Sequence, residues 1–284
     1  MAENKKNWLT QKIEAIKKRA RKDEAYKKRM VALWAIALTV WVGAIIVVAQ
    51  FVVSLVATII IKGSDVVVDA NSAVLEAVLM VIVYVMALVL IILPPLYLLN
   101  SKVSRDSLGL KGLPTWTDIL LAPIGYIASM VATIAVLLVV QAVAPSFDLN
   151  EAQDVGFNGI YLNIDKAIAF VALVVLAPIA EELIFRGYLY GKLRTRLSAI
   201  PAIILVSVLF GLMHGQWNVG IVVGVMSVFL CVARELTGTI YAGILMHMIR
   251  NGLAFYLLYV NPISTTSMVG TLGVALPIIA PFLL

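Results

Sequence analysis

Long apolar segments dominate this sequence and constrain its fold more than any other feature. A helix needs about 20 mostly apolar residues to cross a hydrocarbon core about 30 Å thick. Eight segments reach or approach that length: 31–61, 73–99, 119–144, 167–190, 200–217, 219–234, 239–260 and 267–284. With 62% hydrophobic and 13% charged residues, the chain also lies outside the usual composition of soluble domains. The sequence therefore predicts an all-α fold, a polytopic membrane helix bundle with about eight transmembrane helices.

The charges between these segments predict which side of the membrane each loop faces, because cytoplasmic loops carry an excess of Lys and Arg. If the N-terminus is cytoplasmic, the cytoplasmic loops contain the bases Lys102, Arg105, Lys111, Lys192, Arg194, Arg196 and Arg234. The opposite loops contain the acids Asp65, Asp69, Asp148, Glu151, Asp154 and Asp165, with Lys62 and Lys166 as bases. We therefore predict a multi-pass integral membrane protein with a cytoplasmic N-terminus.

Residues 1–30 differ from the rest of the chain because they contain 11 of its 22 Lys and Arg residues. Basic residues mixed with Trp8, Ile13 and Ile16 are typical of a helix on an anionic lipid surface. Nucleic-acid binding is not expected, since no second basic face accompanies this one. The apolar run that follows begins too late and is too long for a cleaved signal peptide. We divide the chain into a basic cytoplasmic segment, 1–30, and a transmembrane domain, 31–284.

Six ionisable side chains lie within predicted spans, where the cost of burying charge makes each a functional candidate. They are Glu181, Glu182, Arg186, His214, His247 and Arg250. On a helix Glu182 and Arg186 share a face and can pair, whereas Glu181 points about 100° away. A carboxylate left unpaired at low dielectric has the raised proton affinity that a general base needs. In the alternative interpretation, both glutamates are structural partners of Arg186 and Arg250.

The chain has two histidines, and both fall within predicted spans. Gly211 and Gly215 flank His214 and allow a neighbouring helix to approach closely. His247 and Asn251 are one helical turn apart, so the imidazole and the carboxamide project from the same face. A single buried histidine favours a hydrogen-bonded structural role. Two histidines, both within apolar spans, favour a functional site.

Three short motifs occur in order on these apolar helices. They are Glu-Glu-x-x-x-Arg at 181–186, Phe-x-x-x-His at 210–214 and His-x-x-x-Asn at 247–251. Each motif alone is weak, but the three in this order are a specific signal. Together, within about residues 165–255, they resemble the signatures of the CAAX-protease and bacteriocin-processing family of intramembrane glutamic proteases.

The resemblance implies an intramembrane endopeptidase that hydrolyses a peptide bond of a membrane-associated peptide or protein, in CAAX-type or leader-peptide and bacteriocin processing. It implies that Glu181, with His214, activates a water molecule. It also implies that His247 and Asn251 stabilise the resulting oxyanion. This division of roles is chemically coherent, since a base is followed by donors aimed at developing negative charge.

The resemblance assigns supporting roles to the remaining motif residues, Glu182, Arg186 and Phe210. Glu182 and Arg186 are expected to hold their helix and to position Glu181. No cofactor is expected. The expected partners are the lipid bilayer, anionic lipids at residues 1–30, and a substrate with or without a prenyl group.

Three other classes of function compete with this interpretation. Glu181, His214 and His247 could form a three-ligand zinc site with an open position, although the sequence has no His-Glu-x-x-His motif. The chain could also be a non-catalytic bacteriocin-immunity or peptide-binding membrane protein. A transporter is disfavoured, because no pair of interrupted apolar segments recurs in the two halves of the chain.

Overall fold

The computed structural model describes residues 23–63, 72–99, 103–149 and 162–261, together with residues 11, 157 and 160. The regular secondary structure of these residues is helical. The helices are α1 (Glu24–Gly63), α2 (Ala73–Leu99), α3 (Trp116–Val143), α4 (Asn163–Arg194), α5 (Ala199–Leu212), α6 (Trp217–Thr237) and α7 (Tyr241–Val260). The predicted all-α fold is confirmed.

Six of these helices, all except α5, are long and apolar enough to cross a membrane. Large apolar side chains such as Phe51 and Ile60 are more than 60% exposed on α1. Exposed apolar surface of this extent matches a lipid environment. The prediction of a multi-pass membrane protein is therefore confirmed.

The fifth predicted span, 200–217, is wrong in length. Helix α5 has 14 residues, which correspond to roughly 21 Å, less than the hydrocarbon thickness. It ends at Leu212, before a turn in which Gly215 adopts a φ of +73°. A left-handed φ is incompatible with helix continuation and is favourable only for glycine. His214 consequently lies in this turn, after the helix.

Two predictions fall wholly or partly outside the described residues. The eighth predicted span, 267–284, is one of them. Most of the basic segment 1–30 is the other, and α1 begins at Glu24 rather than at residue 31. The division of the chain at residue 30 stays a prediction.

Helix α4 lies at the centre of the bundle. Its Ile184 and Leu189 are fully buried in one cluster with Val42 of α1, Ala87 of α2 and Val206 of α5. Helices α3, α6 and α7 pack together through a second cluster that contains Tyr126, Met226 and Met246. The functional motifs on α4 and α7 are therefore held between two apolar clusters.

Helix α4 is not regular, because two π-helical turns interrupt it. The turns comprise Val171–Leu176 and Leu183–Tyr190, and the α-helical segment Ala177–Glu182 lies between them. Such π turns inside α-helices are frequent at functional sites. The two glutamates therefore lie on a short helical segment whose ends are both distorted.

A buried aspartate fixes the start of α7. Asp118, in the first turn of α3, accepts hydrogen bonds from Thr115 N at 2.8 Å and Thr239 Oγ1 at 2.6 Å. The Thr115 side chain in turn caps α3. Because α7 starts two residues after Thr239, these bonds set the position of His247 along the helix axis.

Candidate functional site

The adjacent glutamates of α4 have different surroundings. Glu182 is fully buried, and its Oε1 accepts a hydrogen bond from Arg186 Nη1 at 2.7 Å. Glu181 is 18% exposed, and its Oε1 accepts a hydrogen bond from Tyr84 Oη of α2 at 2.5 Å. The predicted Glu182–Arg186 pair is confirmed. Glu181 has a tyrosine partner, unlike the interpretation in which each glutamate pairs with an arginine.

Arg186 is buried next to Glu182 and has several further contacts. Its Nη2 donates a hydrogen bond to Ser227 Oγ of α6 at 2.7 Å. Its guanidinium carbon lies 4.4 Å from the ring centroid of Phe210. A buried charge requires such compensation, since its desolvation costs several kcal/mol. Arg186 therefore connects the glutamate segment to α5 and α6.

Helix α7 places His247 against both glutamates. The Nδ1 atom lies 3.4 Å from Glu182 Oε1, and the Nε2 atom lies 3.8 Å from Glu181 Oε2. Gly243 precedes His247 by one turn, and a Cβ atom there would lie 2.8 Å from Glu182 Oε2. A larger side chain at this position would displace the Glu182 carboxylate or α7. The glycine permits the close approach of the two helices.

His214 has one ring nitrogen engaged and one available. Its Nδ1 donates a hydrogen bond to the carbonyl oxygen of Phe210 at 2.8 Å. Because a carbonyl oxygen only accepts, Nδ1 carries the hydrogen and Nε2 of the neutral ring keeps its lone pair. The Phe210 ring packs edge-on against His214 and His247, with centroid distances of 5.0 and 5.8 Å. Phe210 thus contacts both imidazoles.

Asn251 is bonded to the first π turn of α4. Its Nδ2 donates a hydrogen bond to Leu173 O at 2.9 Å. In this turn Ala177 N bonds to Ala172 O, so the next bond in the same register would join residue 178 to Leu173 O. Residue 178 is proline, which has no N–H group. The Asn251 side chain therefore replaces the donor that Pro178 lacks.

A cavity of about 400 Å³ brings these side chains together. The four predicted catalytic residues, Glu181, His214, His247 and Asn251, all line it, and so does Phe210. Helices α1 and α2 contribute Ile46, Gln50, Met80, Val83, Tyr84 and Ala87 to the wall. A largely apolar cavity with a few convergent polar groups is typical of a small-ligand or catalytic site.

The two oxygens of the Glu181 carboxylate differ in their contacts within this cavity. Glu181 Oε2 is buried and has no hydrogen-bond partner among the described residues. An unsatisfied buried polar atom is costly, and catalytic function is a common reason for retaining one. The oxygen lies in a site that also contains two imidazoles. It can therefore accept a proton from a water molecule bound there.

Tyr84, Gln50 and Arg250 also line the cavity, and the three motifs do not predict this. Arg250 Nη1 donates a hydrogen bond to Asn251 Oδ1 at 3.1 Å. Tyr84 and Gln50 lie near the middle of apolar helices, whereas tyrosine normally concentrates at the membrane interfaces. A polar side chain at mid-span was the signal that could have identified both.

The zinc alternative requires Glu181, His214 and His247 to converge on one point. Among the side chains that the structure describes, no group of three His, Cys, Asp or Glu residues is arranged to hold a metal ion. The Nδ1 atom of His214 is occupied by Phe210 O. We therefore derive no step through a metal.

The segment that carries the three motifs matches a known family. Residues 163–253 match the family model described as type II CAAX prenyl endopeptidase Rce1-like. The match confirms the resemblance inferred from the motifs and covers most of α4 to α7. Searches of curated proteins and of solved structures found no match to the chain.

The match to the Rce1-like family model supports intramembrane protease activity in general, and hence a hydrolase. It also implies a membrane-associated peptide substrate. The matched segment contains Glu181, His214, His247 and Asn251 but neither α1 nor α2. Tyr84 and the other wall residues from those two helices lie outside it.

Proposed function

We propose that this protein is an intramembrane endopeptidase that cleaves a peptide bond with a water molecule activated by Glu181. The observation that carries this proposal is Oε2 of Glu181, which has no hydrogen-bond partner among the described residues and faces a cavity lined by both histidines. Glu182 pairs with Arg186 through Oε1 and is not among the residues that line the described cavity, so we do not assign it as the base. The two neighbouring carboxylates thus have separate tasks.

In the first step Glu181 Oε2 accepts a proton from the water, and the oxygen attacks the carbonyl carbon of the substrate. His214 Nε2 has a lone pair directed away from Phe210 O and binds the same water. A base with an orienting partner at low dielectric is an effective arrangement for water activation. When the C–N bond breaks, the same proton passes from Glu181 to the leaving amine.

The tetrahedral intermediate carries negative charge on the former carbonyl oxygen, and His247 and Asn251 donate hydrogen bonds to it. In its protonated form His247 has a hydrogen on each nitrogen, one directed at Glu182 and the other at the Glu181 side of the cavity. The Asn251 carboxamide has two hydrogens, of which one bonds to Leu173 O. Fixed donors of this kind stabilise charge that develops only during the reaction.

The substrate is a membrane-associated peptide or protein, with or without a prenyl group, in CAAX-type or leader-peptide and bacteriocin processing. The apolar wall from α1 and α2 supports binding of a chain that is itself in the bilayer. We also propose that the N-terminus is cytoplasmic and that residues 1–30 bind anionic lipids. Cysteines placed at 145–149 should then react with impermeant reagents outside intact cells, whereas cysteines at 195–198 should not.

Glu181→Gln tests the catalytic assignment, with Glu235→Gln as a matched control for the same chemical change. Glu235 lies at the end of α6, and its carboxylate pairs with Arg194, away from the cavity. Membrane peptides from cells with each variant, compared by mass spectrometry, would identify the substrate. Purified protein would then be assayed on that peptide. We expect no turnover with Glu181→Gln and full turnover with Glu235→Gln.

Other outcomes would assign the cavity to a different function. Wild-type turnover by Glu181→Gln would refute the glutamate mechanism. Loss of activity on chelation, with one zinc per chain by metal analysis, would favour the zinc alternative. A wild-type protein that binds peptides or a bacteriocin without cleaving them would be a peptide-binding or immunity protein.

A further inference from the structure

The Tyr84 side chain makes a contact that none of the three motifs explains. Tyr84 is 97 positions before Glu181, on α2, and donates a hydrogen bond to Glu181 Oε1 at 2.5 Å. It lies near the middle of α2, outside the segment that matches the Rce1-like family. A polar partner stabilises a tyrosine hydroxyl near the middle of an apolar helix, because the bilayer provides none.

The two oxygens of Glu181 differ because of this contact. Oε1 is engaged by the tyrosine, whereas Oε2 has no partner among the described residues and lies 3.8 Å from His247 Nε2. An unrestrained carboxylate could rotate and offer either oxygen to the cavity. With Oε1 held by α2, the rotation is restricted and Oε2 stays on the side of the imidazoles.

We propose that Tyr84 is a positioning residue that makes Oε2 of Glu181 the proton-accepting oxygen. This inference rests on the proposed function, in which Glu181 is the base. The hydroxyl has a second effect, since a hydrogen bond donated to a carboxylate stabilises its charged form.

Tyr84→Phe is the direct test, because it removes the hydroxyl and leaves the ring. We expect kcat to fall by about tenfold, the effect of one hydrogen bond to a charged group, with little change in KM. The acid limb of kcat/KM should move to higher pH by about one unit, because the carboxylate loses a donor that favours its charged form.

Tyr126→Phe is the matched control. Tyr126 lies near the middle of α3 and is buried, but its hydroxyl has no hydrogen-bond partner among the described residues. The variant removes the same atom from a similar position along an apolar helix, so its kcat and its acid limb should equal those of the wild type. A generic effect of losing a buried hydroxyl would appear equally in both variants.

Incorporation of 3-fluorotyrosine at position 84 tests the inference without removing any group. The fluorinated phenol is a stronger hydrogen-bond donor, so the acid limb should move to lower pH, opposite to the shift in Tyr84→Phe. This measurement remains decisive if Tyr84→Phe fails to fold. A limb that stays in place with the fluorinated residue would overturn the inference.

Two further results would also overturn it. Tyr84→Phe could match Tyr126→Phe in kcat and pH profile, which would assign Tyr84 to packing alone. The change could instead remove the basic limb of the profile, which would make Tyr84 a proton donor to the leaving group. Failure of the proposed function is distinguishable, because it appears as turnover by Glu181→Gln whatever the result at position 84.

Discussion

Helices α4–α7, which carry the three motifs, differ from α1 and α2 in the contacts that hold them. Around the cavity, polar bonds join α4 to its neighbours, such as Arg186 to Ser227 and Asn251 to Leu173. The buried contacts of α1 and α2 with α4 are mainly apolar, through residues such as Val42 and Ala87. Their outer faces carry many exposed apolar side chains.

The difference separates two tasks of the bundle. Polar contacts have strict distance and angle requirements, so the α4–α7 network fixes the positions of reacting groups. Apolar packing tolerates changes of shape better, so we expect α1 and α2 to enclose the substrate and to influence which substrate fits. Tyr84 is the exception, because it carries a polar contact from α2 into the α4–α7 site.

The largest effect on turnover after Glu181 is expected from the oxyanion donors of α7. His247→Ala should lower kcat by about 100-fold to 1,000-fold with little change in KM, because its donor acts after attack. Steady-state kinetics on the identified peptide would measure both constants. An unchanged kcat with a raised KM would reassign His247 to substrate binding.

Asn251→Ala removes two interactions at once, the oxyanion donor and the bond to Leu173 O. Pro178→Ala provides a control, since it restores a backbone N–H in the register that reaches Leu173 O. In the Pro178→Ala background, Asn251→Ala should lose only its oxyanion contribution. Full recovery of kcat in the double variant would mean that Asn251 acts on α4 and not on the oxyanion.

A further prediction concerns the Glu182–Arg186 ion pair beside Glu181. Glu182→Gln should lower the free energy of unfolding by about 3 kcal/mol, because it leaves Arg186 charged and without an anionic partner in the bundle core. Glu235→Gln breaks a pair of similar length, 2.6 Å, whose side chains are about one-third exposed. It should cost less than about 1 kcal/mol.

Unfolding of both variants in detergent, followed by tryptophan fluorescence, would compare the two pairs. Equal losses would mean that burial does not strengthen the Glu182–Arg186 pair. The α4–α7 network would then have no special stability, and its polar contacts would serve chemistry alone.

The sequence predicts contacts within one helix better than contacts between helices, for a physical reason. Motif residues one helical turn apart share a face, so the pairing of Glu182 with Arg186 follows from spacing alone. Apolar length likewise predicts most of the spans. These are local properties, and local properties can be derived from a single sequence.

The features that escaped prediction depend on contacts between distant segments. Tyr84 bonds to a residue 97 positions away, and no spacing rule connects them. Apolar character continues beyond Leu212, but Gly215 shows that the chain turns there, so α5 is shorter than the apolar run. Similarly, the bond of Asn251 to Leu173 depends on a π turn that hydropathy does not indicate.

The smallest effect is expected in the apolar wall. Met80 of α2 lines the cavity, and Met80→Ala removes apolar surface that would contact the substrate before and during the reaction alike. Such uniform binding affects KM, so we expect KM to rise by about tenfold and kcat to change by less than about twofold. Steady-state kinetics on the peptide used for His247→Ala would allow the changes in kcat and KM of the two variants to be compared directly.

Two variants on α2 make the Met80 result specific. Val78→Ala shortens a side chain that is 48% exposed and lies outside the described cavity wall, so KM should not change. Met80→Leu nearly conserves volume and should remain close to the wild type. If Met80→Ala instead lowered kcat as strongly as His247→Ala, the apolar wall would take part in the chemical step. The proposed separation of tasks between α1–α2 and α4–α7 would then be wrong. The polar contact of Tyr84 could not account for such a result, because Met80 is an apolar residue.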